Sequence, residues 1–436
     1  MVKFIFVGTD RTSVDGTISS KLERMVKMKR IQFIGIILIM WTATFSVQNL
    51  ADLSSEDWIE DIEYLEERLI SIHPNPFFRI DREVFQASIE ALEQSLEELS
   101  WYEIYTRLTE IVASIGDGHT VVYPQGSSTL YPIYTYWFSD GLYIIATSEN
   151  EQRLLNSKVL EISGMKVDDA LKALRRVVSH DNEWGFMNSH SDYLNKPEIM
   201  MGLGLADKDG NLVLKVENNG VVNEVLVEPQ NTGFQWVQKR IEEIDRTYVG
   251  RKYWYQYYPD SKILHFHYAS CGSEKGNPFI FFNFEMFLFT WTNAVDKFVI
   301  DLRGNGGGSS VILEPFILRM MIDWRLNRTG KFFVLIDRGT FSSAVLNAIS
   351  LKKRTNAIFV GEPTGGSPRH YGEVKRFVLP NSGISVSCSS TYWRTTSDTS
   401  PAFMPDIIAI RSFEDYYYMR DLAMEAVESY RTEKEE

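Results

Sequence analysis

Phe298-Val299-Ile300-Asp301-Leu302-Arg303-Gly304-Asn305-Gly306-Gly307-Gly308 is a short apolar strand pattern that runs straight into a glycine-rich turn. Glycine lets backbone N–H groups face a ligand with no side chain in the way. About thirty residues on, Val334-Leu335-Ile336-Asp337-Arg338-Gly339-Thr340-Phe341-Ser342-Ser343-Ala344 repeats the plan with a different turn. This one delivers a serine to the start of a helix-like run through Leu346, Ala348 and Ile349. Strands followed by turns and helices over Lys262 to Ile410 define an α/β layer fold. A hydroxyl at a helix N-terminus beside a backbone nest is an arrangement suited to acyl transfer.

Outward from these segments, the chain divides into expected regions. Residues 51–120 read as a helical module. Trp58, Ile62, Leu65, Leu69 and Ile72 recur at helical spacing and stop at His73-Pro74. Asp81 heads a second helix carrying Phe85, Ile89, Leu92 and Leu96, and Ser100 to Glu103 forms a capping box for a third. Residues 121–260 are strand-rich, with Asn218-Asn219-Gly220 as a hairpin turn. Residues 261–436 form the α/β core, with a charged tail from Arg431. Residues 1–50 read as a signal peptide or N-terminal anchor: Met28-Lys29-Arg30 precedes a mostly apolar run from Ile31 to Phe45. Met25 or Met28 is the expected true start. Export to a bacterial envelope or beyond follows, with membrane attachment where the signal stays uncleaved.

Composition narrows the function. The 436 residues carry a net charge of -13, which argues against nucleic acid as a partner. The hydrophobic fraction of 44% supports a large core. Cys271 and Cys388 form no metal-ligand spacing and read as two separate buried thiols. No HExxH or helical histidine pair suggests a metal, and Gly304 to Gly308 is neither a P-loop nor a GxGxxG turn. No metal or cofactor is expected. The sequence gives no oligomeric state.

Ser342 is the candidate nucleophile; a plain helix cap is the competing reading. Its base must come from seven histidines. His119 sits in the glycine-flanked turn Gly116-Asp117-Gly118-His119-Thr120, and His370 follows another loop. His265 and His267 share one strand face, His180 and His190 fall in a polar loop, and His73 ends a helix. The residues alone do not choose among them. Asp301 and Arg303 are expected to hold the glycine turn, since a buried charge needs a partner. The aromatic run Phe279 to Trp291 is expected to build core, with a ligand-lining role as the alternative.

Three segments in order carry a resemblance. Phe298 to Gly308, Arg338 to Ala344, and Val360-Gly361-Glu362-Pro363-Thr364-Gly365-Gly366 resemble the core of the tail-specific, C-terminal processing serine peptidases. The likeness spans most of 262–410 and is greatest to the branch of the tricorn core and the retinoid-binding-protein-like domains. It implies a ClpP/crotonase-like α/β core with a helical N-terminal module and a strand-rich, partly PDZ-like middle region around Val159 to Gly164. It implies Ser342 as nucleophile, and Gly307, Gly306 and the Ser343 amide as the oxyanion hole. The lysine base of the processing branch has no counterpart, because Ser367 holds its place and Lys375 lies too far along. The tricorn-like branch uses a histidine from a turn like that of His119, so a Ser342–His119 pair is expected. For the orienting carboxylate Asp406 comes first, with Glu373 and Asp117 as alternatives. Gly118 stands where that branch has a relaying serine. The resemblance implies a serine peptidase acting on peptide or protein substrates. Its alternative is a non-catalytic member of the fold that holds an apolar ligand or peptide.

Overall fold

The computed structural model describes residues 49–123, 128–238 and 250–431. The export signal and start site read over 1–50 lie outside the described residues, save Asn49 and Leu50, as does the tail beyond Arg431. Asn49 to Glu436 forms one compact unit. Among the described residues no helix is long and apolar enough to cross a membrane.

Three helices open the described chain: α1 (Ser55–Ile72), α2 (Arg82–Ser95) and α3 (Trp101–Ser114). Their apolar stripes are buried as the spacing requires, with Trp58, Ile62, Leu65 and Leu69 of α1 facing inward. Each such side chain contributes about 1.5–3 kcal/mol. Ser54 and Asp57 form a capping box on α1, and Ser100 and Glu103 form the expected one on α3. Asp81 occupies the N-cap of α2 without a side-chain bond.

An antiparallel sheet follows. It contains β1 (Ile133–Phe138), β2 (Gly141–Ser148), β3 (Lys158–Ile162), β4 (Leu212–Asn218) and β5 (Val221–Val227). Asn218 pairs with Val221, so Asn219-Gly220 is a two-residue turn. Both its residues have positive φ, as the twist of a tight hairpin demands. Helices α4 (Val167–Arg175), α5 (Glu183–Leu194) and α6 (Pro197–Gly202) lie between β3 and β4. His190 therefore lies on α5, buried against Thr135, and not in a polar loop.

The second sheet has the order β6 (Tyr253–Tyr258), β7 (Ile263–Tyr268), β8 (Lys297–Asp301), β9 (Phe332–Ile336), β10 (Ile358–Gly361), then a short strand at Ile407–Ile408. From β7 onward all pairs are parallel. Strands β8 and β9 are buried along their whole length, as a parallel sheet covered on both faces requires. Helices α7 (Phe279–Thr292), α8 (Glu314–Ile322) and α9 (Ser343–Arg354) supply the crossovers.

The alternation is broken once. β11 (His370–Val378) and β12 (Ser385–Trp393) form a hairpin that pairs with Val121–Val122 instead of joining the core sheet. Its tip docks on α1, where the Asp61 carboxylate accepts the amides of Asn381 and Ser382, each at 2.8 Å. One hydrophobic cluster accordingly runs from α1 through the antiparallel sheet to Phe377 and Val386.

Candidate active site

The turns after β8, β9 and β10 all leave the same carboxyl edge of the parallel sheet, where open α/β sheets bind ligands. Asp337 ties the first two together: its Oδ1 accepts the amides of Gly304 and Gly339, each at 2.9 Å. Thr340 Oγ1 donates to the Leu302 carbonyl at 2.9 Å, and the Phe341 amide to the Asn305 carbonyl at 3.0 Å. Burial raises the Asp337 carboxyl above its usual range, against the Gly304 amide that lowers it.

Ser342 is the N-cap of α9 with φ +53° and ψ -127°. A non-glycine residue there is strained by about 1–3 kcal/mol, a feature that concentrates at functional sites. Strand, sharp turn, then helix is the geometry that lifts a nucleophile out of a sheet edge. Two glycines make room. A Cβ on Gly307, whose φ is +107°, would meet Ser342 Cβ at 2.8 Å; one on Gly366 would meet the Ser342 amide at 3.2 Å. The Gly307 amide is already given to Asn305 Oδ1 at 2.9 Å. The amides of Gly306 and Ser343 have no hydrogen-bond partner among the described residues.

His119 stands beside this turn. Its imidazole stacks on Phe341 with centroids 4.4 Å apart, and the His370 ring lies nearly parallel to it at 5.5 Å. Both its ring nitrogens are buried without a hydrogen-bond partner, so none joins His119 to Ser342 Oγ in this structure. Catalytic hydrogen bonds commonly tighten only when substrate binds. Burial pushes the imidazole pKa down; Asp181 and then Asp117 pull it up.

Two carboxylates flank that ring. Asp117 Oδ1 lies 3.8 Å from His119 Nδ1 and accepts the His119 backbone amide at 3.0 Å. Its Oδ2 meets His73 Nε2 at 3.3 Å and Thr120 Oγ1 at 2.5 Å. Burial alone would raise the Asp117 carboxyl, but the His73 hydrogen bond, the His119 charge and two hydroxyls bring it down to about 2. Asp181 accepts the amides of Gly118 at 2.8 Å and Ser367 at 3.1 Å, so it holds the turn of His119 against the loop after β10. Asp117, His119 and Asp181 each place an atom within 4.8 Å of the others.

Asp181 is the residue that sequence reading missed. It precedes Asn182, whose side chain caps α5 and donates to the carbonyls of Thr364 and Pro401. The cap is a readable signal for a loop, though not for a loop reaching this site. Asp406 and Glu373 are not brought to His119. The Asp406 carboxylate is held by Lys352 at 2.6 Å and by the Phe359 amide at 2.9 Å. Glu373 is exposed on β11, where its carbonyl accepts Ser390 Oγ. Asp301 and Arg303 hold the glycine turn as expected, and Asp421, unforeseen, completes the clamp at 2.9 Å from Arg303. A second cluster, His265, His267 and Asp301, is closed by that guanidinium, which donates to both Asp301 oxygens. Cys271 and Cys388 are separate buried thiols.

No protein-family model matches the chain, and no curated protein sequence does. Solved structures do. Mature CPAF complexed with lactacystin superposes with a TM-score of 0.61 at 15% identity, over 86% of this chain and 97% of that one. A serine-to-alanine mutant of CPAF gives 0.60 at 14% identity, over 87% and 99%. The mixed helix-and-sheet architecture, with its strand-rich middle, is thus a CPAF-type protease fold.

Proposed function

We propose that this protein is a serine peptidase that hydrolyses peptide bonds through an acyl-enzyme on Ser342. His119 takes the Ser342 hydroxyl proton as Oγ bonds to the substrate carbonyl carbon. The oxyanion is met by the amides of Ser343 and Gly306, while the Gly307 amide serves Asn305. His119 then gives its proton to the departing amine as the C–N bond breaks, and a water, deprotonated by His119, releases the acid. Asp117 and Asp181 flank the imidazole and stabilise the imidazolium while it holds the proton. The mechanism calls for no metal or cofactor. Peptides or proteins are the substrates. Export rests on the residue pattern before Asn49.

The observation that carries this reading is the strained backbone of Ser342, a cost that a helix cap does not require, against a glycine nest and on the turn whose Phe341 seats an unpartnered imidazole. The test is covalent labelling with a fluorophosphonate, read by intact mass and peptide mapping, with lactacystin as a second probe. Wild type should carry one adduct on Ser342. Ser342→Ala should carry none, and His119→Ala should label at least a hundredfold more slowly. Normal labelling and cleavage by Ser342→Ala would falsify the assignment.

A further inference from the structure

Helix α7 is apolar on two opposite faces. Phe282, Met286 and Phe287 are buried in the core of the parallel sheet. Ile280, Phe281, Phe284, Leu288 and Trp291 form a second stripe at helical spacing, and it faces solvent; Phe284 is 68% exposed. Glu285 is the one ionisable residue on this helix. A helix that is hydrophobic all round belongs in an interior. The expectation that this run builds only core is therefore half met.

The stripe continues onto α8, which lies against α7. Leu318 and Ile322 point outward there, Ile322 at 70% exposure, and Trp324 follows at 75%. The Arg325 guanidinium, next in the chain, lies 3.9 Å from the Trp291 ring centre, and that of Arg319 lies 5.9 Å from it. Together these side chains expose on the order of 1,000 Å² of apolar surface. The largest apolar patch on an ordinary monomer is about 300–600 Å². A stable dimer buries roughly 800 Å² on each partner.

We infer that this face joins two copies of the chain, α7 against α7 about a two-fold axis. The area matches what a stable dimer needs, and homodimer interfaces are more apolar than those of transient complexes. Exposed Glu285 and half-buried Arg319, whose guanidinium lies beside Trp291, put opposite charges at the edge of the stripe, which a two-fold pairing can set against each other. An anionic lipid surface is the poorer occupant, because the chain carries a net charge of -13.

The test is sedimentation equilibrium of the full chain at about 1–20 μM, a range set by ordinary dimer affinities. Wild type should be a dimer. The double variant Phe284→Glu with Trp291→Glu should be a monomer with an unchanged circular dichroism spectrum, since both side chains are exposed. Tyr392→Glu, at an exposed aromatic on β12, should leave the dimer intact. A wild-type monomer across the range, a dimer indifferent to the double variant, or flotation with phosphatidylglycerol vesicles in place of dimerisation would each overturn the inference. Labelling of Ser342 is a separate readout, so failure here leaves the peptidase reading standing.

Discussion

The imidazole of His119 lies on the ring of Phe341, with centroids 4.4 Å apart and planes 26° from parallel. Phe341 is the residue before Ser342, so the proposed base is seated on the same turn that carries the proposed nucleophile. Phe341→Ala should lower turnover by about 10- to 100-fold through misplacement alone. Steady-state kinetics on a peptide substrate should show the loss in kcat more than in KM. An unaltered kcat would mean that the stacking does not position the base.

Burial lowers the His119 pKa below 6.5, and on the proposed mechanism the neutral ring is the base. The rate should therefore rise with pH through a midpoint below 6.5 and be level at neutrality. Asp181 is the largest influence pulling that pKa upward. Asp181→Asn removes the charge and should move the acid limb to lower pH. A limb that stays in place, or moves up, would deny Asp181 its electrostatic role; a merely structural residue would alter the plateau and not the midpoint.

Gly307→Ala adds a Cβ 2.8 Å from that of Ser342 at a backbone φ of +107°. Ser342 must shift. Fluorophosphonate labelling should slow by about a hundredfold, comparable to loss of an oxyanion donor. The melting temperature should fall by only a few degrees. Labelling at the wild-type rate would show that the nest does not crowd the serine.

Asp117 links folding to pH. Its carboxyl sits at about 2 in the folded protein against 3.8 ordinarily. A carboxyl depressed on folding stabilises the native state at pH values above 3.8, and that stabilisation is lost as pH falls toward 2. Asp117→Ala leaves His73 and Thr120 without their shared acceptor and should destabilise by about 2–4 kcal/mol near neutrality. Urea unfolding should show wild type and variant converging as the pH approaches 2. A gap that widens on acidification would contradict the assignment.

Local signals made much of this legible. The capping box at Ser100, the apolar stripe of α1 and the Asn219-Gly220 turn each depend on residues a few positions apart. The two strand-turn segments likewise announced where Ser342 would stand. Pairing across the chain left no such mark. The β11–β12 hairpin meets Val121–Val122 and Asp61 across more than 250 residues, and nothing near Asn381 says so. Asp181 looked like any loop acid because its importance lies in two amides brought to it from elsewhere. Asp406 looked available because Lys352, its partner, is 54 positions away. Half of α7 passed for core because composition does not tell an inner aromatic face from an outer one.

His119 comes from the end of the helical module, Asp181 from the segment between α4 and α5, and Ser342 from the parallel sheet. During synthesis the last of these emerges more than 200 positions after the first. On the proposed reading the newborn chain is harmless to itself and to its neighbours: its cutting edge exists only when three distant segments have docked, and any local opening that separates them blunts it again. Competence is then a readout of completed folding.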